Sequence, residues 1–356
     1  MSSKTLRQLS EWGIFPGSRP CIIAGPCSAE SLEQVLDVAA RLPEGAVLRS
    51  GVWKPRSRPD TFEGAGEQAL GWMAAAREKF GCRLATEVAS AAHVDACLKY
   101  NIDIMWIGAR TTTNPFLVQE IASALKGHTG QAVLVKNPVS PEVELWDGAI
   151  ERLQEAGLVN IGAVSRGFSI GDATPYRNSP CWQVPIELRR RHPEMAFFCD
   201  PSHMAGDRIY VKELSQKALN LGYDGLMIET HCNPSEALSD SRQQLTPGQL
   251  SALLSELVTR KVSLSGPDEA LEMLREQVDS LDGQLIHIIG ERFRLTDTIG
   301  RRKKELNLTS LQPGRWQEVL DKAVAAGSGE GLNPDFVKEL FSLIHEHSVS
   351  SQDKDL

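Results

Sequence analysis

Between residues 21 and about 260, eight short apolar runs alternate with longer segments of helical period. The runs are CIIAGPCS (21–28), AVLRSGVW (46–53), RLATEV (83–88), IMWIGAR (104–110), AVLVKNP (132–138), NIGAVSRG (160–167), MAFFCDP (195–201) and GLMIETH (225–231). They read as strands. The segments between them, such as 31–42, 67–81, 116–127 and 211–222, read as helices, often followed by the Gly favoured just past a helix end. Eight βα units predict a closed parallel (β/α)8 TIM barrel of the α/β class. A doubly wound open sheet is the alternative, but no GxGxxG follows the first run, which counts against a dinucleotide fold.

A barrel of this kind needs about 250 residues, and the chain has 356. Ser, Gly and Pro interrupt the pattern at KVSLSGPDEA (261–270), which divides the chain into a barrel over 1–262 and a second domain over 263–356. There Pro267-Asp268-Glu269 starts a helix that runs to about Leu306. Leu271, Leu274, Val278, Leu281, Leu285, Ile288, Leu295 and Ile299 recur along it at bundle-like spacing, with one gap at Arg292. Further helices are expected over 314–326 and 334–350, joined by a loop over 325–334. The second domain is thus small and all-α.

Composition narrows the function classes. The formal charge of −8 argues against a nucleic-acid coat. No run approaches the roughly 20 apolar residues that span a bilayer, and the opening MSSKTLRQLSEWGIF has no apolar core of a signal peptide. Seven scattered cysteines, an odd number, fit reduced thiols in a cytoplasmic protein.

Active sites of barrels lie at the C-terminal ends of the strands. Near those ends stand Cys27, Arg49 followed by Lys54 and Arg56, Glu87, Arg110, Lys136, Arg166, His203 and Glu229. Cys27, His203, Glu229 and Asp240 offer one thiolate, one imidazole and two carboxylates. That mixture suits a divalent first-row metal such as Mn, Fe, Co or Zn. Arg49, Lys54, Arg56, Arg110, Lys136 and Arg166 would repel one another around one cavity unless anions neutralise them. Phosphates and carboxylates suit the Arg fork, with room for two phosphorylated substrates.

The segments AGPCSAE (24–30), KPRSRPDTFEG (54–64), IGARTT (107–112), DPSH (200–203) and IETH…EALSD (228–240) resemble 3-deoxy-D-arabino-heptulosonate 7-phosphate synthases. The resemblance covers about residues 6–260 and is nearest to the short type Iβ branch. The sister family, 3-deoxy-D-manno-octulosonate 8-phosphate synthase, is disfavoured because Lys54-Pro55-Arg56-Ser57 resembles the KPR[ST] loop of the heptulosonate enzymes. The resemblance implies that Cys27, His203, Glu229 and Asp240 hold the metal. It implies that Arg110, Lys136 and Arg166, with Arg49 and Lys54, hold phosphoenolpyruvate. Arg56 and Ser57 then take the phosphate of erythrose 4-phosphate. Cys27, Lys54 and His203 would be the catalytic residues. A metal-storage or scaffold barrel is the non-enzymatic competitor.

Arg292 interrupts the apolar seam, where an unpaired charge is costly. Lys303, eleven residues on, falls about 20° round the helix and roughly 16 Å along it, so the two can bracket a small dianion. Arg275 lies roughly 25 Å from Arg292 along the axis, beyond reach of the same site, and can serve only a partner's, which predicts a homodimer. Segments 274–285, 290–295, 299–304 and 341–352 resemble the all-helical chorismate mutase family. That resemblance implies that Arg275 of a partner and Arg292 bind the two carboxylates of chorismate. Lys303 and Gln352 would meet the ether oxygen, and Arg315 and Ser348 would add contacts. Where that family usually has acids, this chain has Gln312 and Trp316. The expectation is a bifunctional enzyme whose helical domain also dimerises and mediates feedback by prephenate or chorismate. The alternative is a helical domain that only binds regulator and dimerises.

Overall fold

The computed structural model describes residues 6–17, 20–54, 61–171, 174–260, 268–309 and 311–354. The chain divides into two compact units, Met1–Val262 and Ser263–Leu356. Strands β1 (Cys21–Gly25), β2 (Val47–Arg49), β3 (Leu84–Val88), β4 (Ile104–Ile107), β5 (Ala132–Lys136), β6 (Asn160–Ser165), β7 (Ala196–Cys199) and β8 (Gly225–Glu229) close into a barrel in chain order. All pairings are parallel, and β8 closes on β1 with Ile23 opposite Met227. The closed-barrel expectation holds and the open sheet is excluded.

The helices of this unit are α1 (Leu32–Ala39), α2 (Glu67–Phe80), α3 (Ala91–Lys99), α4 (Ala109–Thr112), α5 (Pro115–Ala124), α6 (Val143–Glu155), α7 (Gln183–Arg191), α8 (Pro201–Ala205), α9 (Val211–Asn220) and α10 (Pro247–Glu256). Local chemistry sets several starts. Ser31, Ser90, Asn114, Asp200 and Thr246 each accept a first-turn N–H, and Pro opens α5, α8 and α10. Among the described residues no helix is long and apolar enough to cross a membrane.

Side chains alternate across a strand, so two cores form. The outward set packs under the helices. The inward set is Cys21, Ile23, Val47, Ala85, Ile104, Trp106, Ala132, Leu134, Val164, Ala196, Phe198 and Met227. Trp12, on a 3₁₀ turn at Leu9–Trp12, joins this inner core with Ile14 and Phe15. The segment before β1 therefore plugs the barrel at the starts of the strands, a role its short length had hidden in the sequence.

The second unit comprises α11 (Glu269–Glu305), α12 (Pro313–Gly329) and α13 (Pro334–Lys354), with α13 packed on both others. One expectation changes here. The loop expected over 325–334 is helical through Gly329. Gly327 is buried against Val337, whose Cγ2 would lie 2.6 Å from an added Cβ, so lack of a side chain there permits close helix packing. Along the seam of α11, Leu271, Leu274, Val278, Leu281, Leu285, Ile288, Leu295 and Ile299 are all exposed.

Candidate active site

Continuing the inward column of each strand toward its C-terminal end exchanges apolar for charged residues. Ile23 leads through Gly25 to Cys27, Val47 to Arg49, Ala85 to Glu87 and Leu134 to Lys136. Val164 leads to Arg166, Phe198 to Asp200 and Met227 to Glu229. One parity thus builds a packed core below and a polar floor above. Several predicted residues stand beyond the strands themselves. Cys27 and Lys54 lie in loops, Arg110 in α4 and His203 in α8, while Asp240 lies in the segment after β8 with φ of 49°. That left-handed backbone is tolerated by Asp better than by most residues.

Cys27, Glu229 and Asp240 bring one ligand atom each to within 4.8 Å of one another. Cys27 Sγ donates to Asp240 Oδ2 at 3.2 Å, and Lys54 Nζ donates to Cys27 Sγ at 3.0 Å. His203 stands one step outside this trio. Its Nε2 is 3.6 Å from Glu229 Oε1, and its Nδ1 is drawn to within 2.8 Å of Asp200 Oδ2. Glu229 is fully buried, and its Oε1 lacks a hydrogen-bond partner, while Oε2 accepts from Gln243 at 2.7 Å. A buried carboxylate oxygen held by charge alone, beside a thiol, a second carboxylate and an imidazole, fits a divalent first-row cation.

Electrostatics agree with that reading. Burial, then the Glu229 carboxylate, pushes the Cys27 thiol up to about 12. It is therefore a thiol that hydrogen-bonds Asp240 until a cation favours its ionised form. Burial disfavours charge on Glu229 and Asp240, yet His203, with Arg49 for the former and Arg177 for the latter, holds both below the usual carboxylate range.

The cations sit on the same floor. Arg49 is 1% exposed, pairs with Glu229 at 3.2 Å and lies over the Trp106 ring at 4.9 Å. Its Nε and Nη1 are buried with no hydrogen-bond partner. Lys136 Nζ donates to buried Asp200 at 2.7 Å. Burial, with Arg177 and Arg110 nearby, lowers the Arg166 pKa, as expected where cations crowd. Above them opens a cavity of about 580 Å³ lined by Lys54, Arg110, Lys136, Arg166, Arg177, His203 and Asp240 among others. Arg56 and Ser57 lie outside the described residues.

Sequence reasoning missed several members. Asp200 caps α8 through His203 N at 3.1 Å and carries both Lys136 and His203. Its signal was available, because it follows Phe198 at the spacing that makes Glu229 follow Met227. Arg177 pairs with Asp240 at 2.8 Å, and Gln244 Oε1 accepts from Cys27 N at 3.0 Å. Asn178 joins Arg166 Nη1 at 3.0 Å to the His203 carbonyl at 2.6 Å. These three lie in loops whose paths no periodicity reveals.

In the helical unit, Arg292 Nη1 donates to buried Ser348 Oγ at 2.9 Å. Arg292 and Lys303 both act on the His345 imidazole, whose pKa is lowered by burial first and then by those cations. Arg275 and Arg315 are not brought to this cluster by the described contacts. Each is exposed and pairs within its own helix, with Glu272 at 2.5 Å and Glu318 at 2.8 Å. The side chain of Gln352 lies outside the described residues.

The sequence model of the DAHP synthetase I family matches residues 10–265, and that of chorismate mutase type II matches residues 274–353. A phospho-2-dehydro-3-deoxyheptonate aldolase of Thermotoga maritima is 33% identical over 63% of this chain and 64% of its own length, so the chain spans less than two thirds of that relative. A 2-dehydro-3-deoxyphosphooctonate aldolase of Wolinella succinogenes is 27% identical over 67% of this chain and 97% of its own. A crystal structure of the Thermotoga enzyme superposes with a TM-score of 0.60 at 32% identity, covering 66% of this chain and 67% of that one. A truncated form of the 3-deoxy-D-arabino-heptulosonate 7-phosphate synthase from Thermotoga gives a TM-score of 0.58 at 30% identity, covering 66% of this chain and 84% of that one.

Proposed function

The chain belongs to the DAHP synthetase I family through residues 10–265, and on that premise we propose a bifunctional shikimate-pathway enzyme. The barrel condenses phosphoenolpyruvate with erythrose 4-phosphate to 3-deoxy-D-arabino-heptulosonate 7-phosphate and phosphate. The helical unit rearranges chorismate to prephenate. The observation that carries the barrel reading is the meeting of Cys27, Glu229 and Asp240 beside Arg49, whose two buried donors lack partners.

Cys27, Glu229 and Asp240, with His203, would hold a Mn, Fe, Co or Zn ion, a Lewis acid toward the aldehyde oxygen of erythrose 4-phosphate. Arg49, Arg110, Lys136 and Arg166 orient the carboxylate and phosphate of phosphoenolpyruvate, and Arg56 with Ser57 takes the phosphate of the aldose. Holding both in register removes much of the entropic barrier to joining them. The enol carbon attacks the aldehyde, and Lys54 donates a proton or hydrogen bond to the developing alkoxide. Water then adds to the cationic C2, and phosphate leaves by C–O cleavage. A seven-carbon product requires a four-carbon aldose beside the three carbons of phosphoenolpyruvate. An eight-carbon product requires five, so the aldose that turns over separates this reading from its sister.

In the helical unit the rearrangement is intramolecular and needs no covalent catalyst. Arg292 and Lys303, fixed on one helix, stabilise a polar transition state and select the compact conformer of chorismate. The exposed apolar seam of α11 supports a homodimer in which Arg275 of one subunit completes the site of the other. Prephenate or chorismate bound there would feed back on the barrel, since binding in one place is reciprocally coupled to the other. We place the enzyme in the cytoplasm.

Both activities are assayed on the full chain after chelation and metal add-back. Cys27→Ala should silence only the condensation, and Arg292→Ala only the rearrangement and any inhibition by prephenate. Condensation that survives chelation or favours a five-carbon aldose phosphate would refute the barrel reading. Chorismate that binds without turning over would leave the helical unit a regulator alone.

A further inference from the structure

The helical unit contains a stacked ring pair, His345 and Trp316. On α13, His345 precedes Ser348 by three residues, so the two share a face, and Ser348 receives the Arg292 hydrogen bond at 2.9 Å. From α12, Trp316 lies flat on the imidazole, with ring centroids 4.0 Å apart and 7° between the planes. This stack sets the direction in which the ring nitrogens point. The His345 Nε2 is buried and has no hydrogen-bond partner, a condition that a folded protein rarely leaves without a purpose.

The surrounding charges are those of α11. Burial first, then Arg292 and Lys303, lowers the pKa of the ring and favours the neutral imidazole. A neutral imidazole offers a hydrogen bond without cancelling the cations that an anion needs. Gln312 and Trp316 stand where the mutase resemblance leads one to expect acids, so a hydroxyl carried into this site has lost its expected partner. Burying a hydroxyl unpartnered is unfavourable.

We propose that His345 is a ligand-binding residue of the helical unit: its Nε2 hydrogen-bonds the ring hydroxyl of a small hydroxylated dicarboxylate held by Arg292 and Lys303, with Trp316 fixing the imidazole plane. The inference rests on the mutase reading and deepens it. It assigns to a stacked His–Trp pair the task that a carboxylate performs elsewhere.

The test compares chorismate with its analogue lacking the ring hydroxyl, in the full-length protein. His345→Phe keeps a ring on Trp316 and removes the nitrogen. It should lower kcat/KM for chorismate about tenfold to a hundredfold, leave the analogue within twofold, and leave the unfolding midpoint unchanged. His345→Gln should recover part of the loss. Where His345→Phe does not fold, His345→Leu gives the same comparison. Equal losses for both substrates, or chorismate turnover within twofold of the native protein, would overturn the proposal. Arg292→Ala separates the two levels of inference. If neither the native protein nor this variant binds or converts chorismate, the mutase reading itself fails. If Arg292→Ala abolishes turnover while His345→Phe does not alter it, only the His345 assignment falls.

Discussion

Asp200→Ala isolates the energetics of the site floor from its chemistry. Asp200 is fully buried, accepts Lys136 Nζ at 2.7 Å, lies 2.8 Å from His203 Nδ1 and caps α8. Removing it strands a Lys136 side chain that is itself only 5% exposed. Breaking a buried pair from one side costs about 3–5 kcal/mol, and losing an N-cap adds about 1 kcal/mol. The expected loss of about 4–6 kcal/mol approaches the whole stability of a typical domain, roughly 5–15 kcal/mol. Asp200→Asn keeps the cap and should lose less. The double variant Asp200→Asn/Lys136→Met removes both charges. It should be more stable than the sum of the singles predicts, by about 2 kcal/mol, because a buried pair is worth little net against apolar replacement. The assay is equilibrium urea unfolding in chelator, following tryptophan fluorescence and fitting the barrel transition separately, since two units need not unfold together. An Asp200→Ala loss under about 1 kcal/mol, or strict additivity in the cycle, would refute the argument.

His203 and Lys136 overcome burial and hold Asp200 well below the usual carboxylate range. Its share of stability is therefore complete above about pH 4, where the unfolded carboxylate is ionised, and is lost as pH falls toward the depressed folded value. The native urea midpoint should drop below pH 4 more steeply than that of Asp200→Asn. Gly25 has φ of 151°, and a Cβ there would lie 2.0 Å from the Arg49 carbonyl oxygen. Gly25→Ala should cost about 3 kcal/mol or more in thermal melts, against about 1 kcal/mol for Gly13→Ala, which has open space but a left-handed φ. Leu281→Glu puts a charge on the exposed seam of α11, and light scattering should show a dimer become a monomer with the rearrangement lost and the condensation kept.

How far the candidate site could be read from sequence depended on the kind of constraint at each residue. Arg49, Glu87, Lys136 and Glu229 lie on the inward parity of their strands, and Cys27 and Arg166 continue it just past the strand ends, so the alternation of a buried strand announces them. Arg292 announced itself as a charge in an apolar seam. Asp200 obeys the same strand rule, one residue before the Pro that opens α8. Arg177, Asn178 and Gln244 obey no period, since their positions follow from loop paths. The four-membered metal set divides on the same ground. Cys27, Glu229 and Asp240 meet within 4.8 Å, while His203 turns one nitrogen toward Asp200, an orientation that no periodicity reveals.

By itself the chain's alternation of apolar runs and helical segments determined a closed parallel barrel followed by a helical unit, because strand and helix periods are local and repeat over many residues. The charges facing inward at the strand ends followed from that same period. Only the tertiary structure decided that Arg49 Nε and Nη1 would be buried without partners, that Gly327 would let α12 extend into the expected loop, and that Trp316 would lie flat on His345. Each of those depends on where residues far apart in sequence come to rest, and close packing, not periodicity, sets that position.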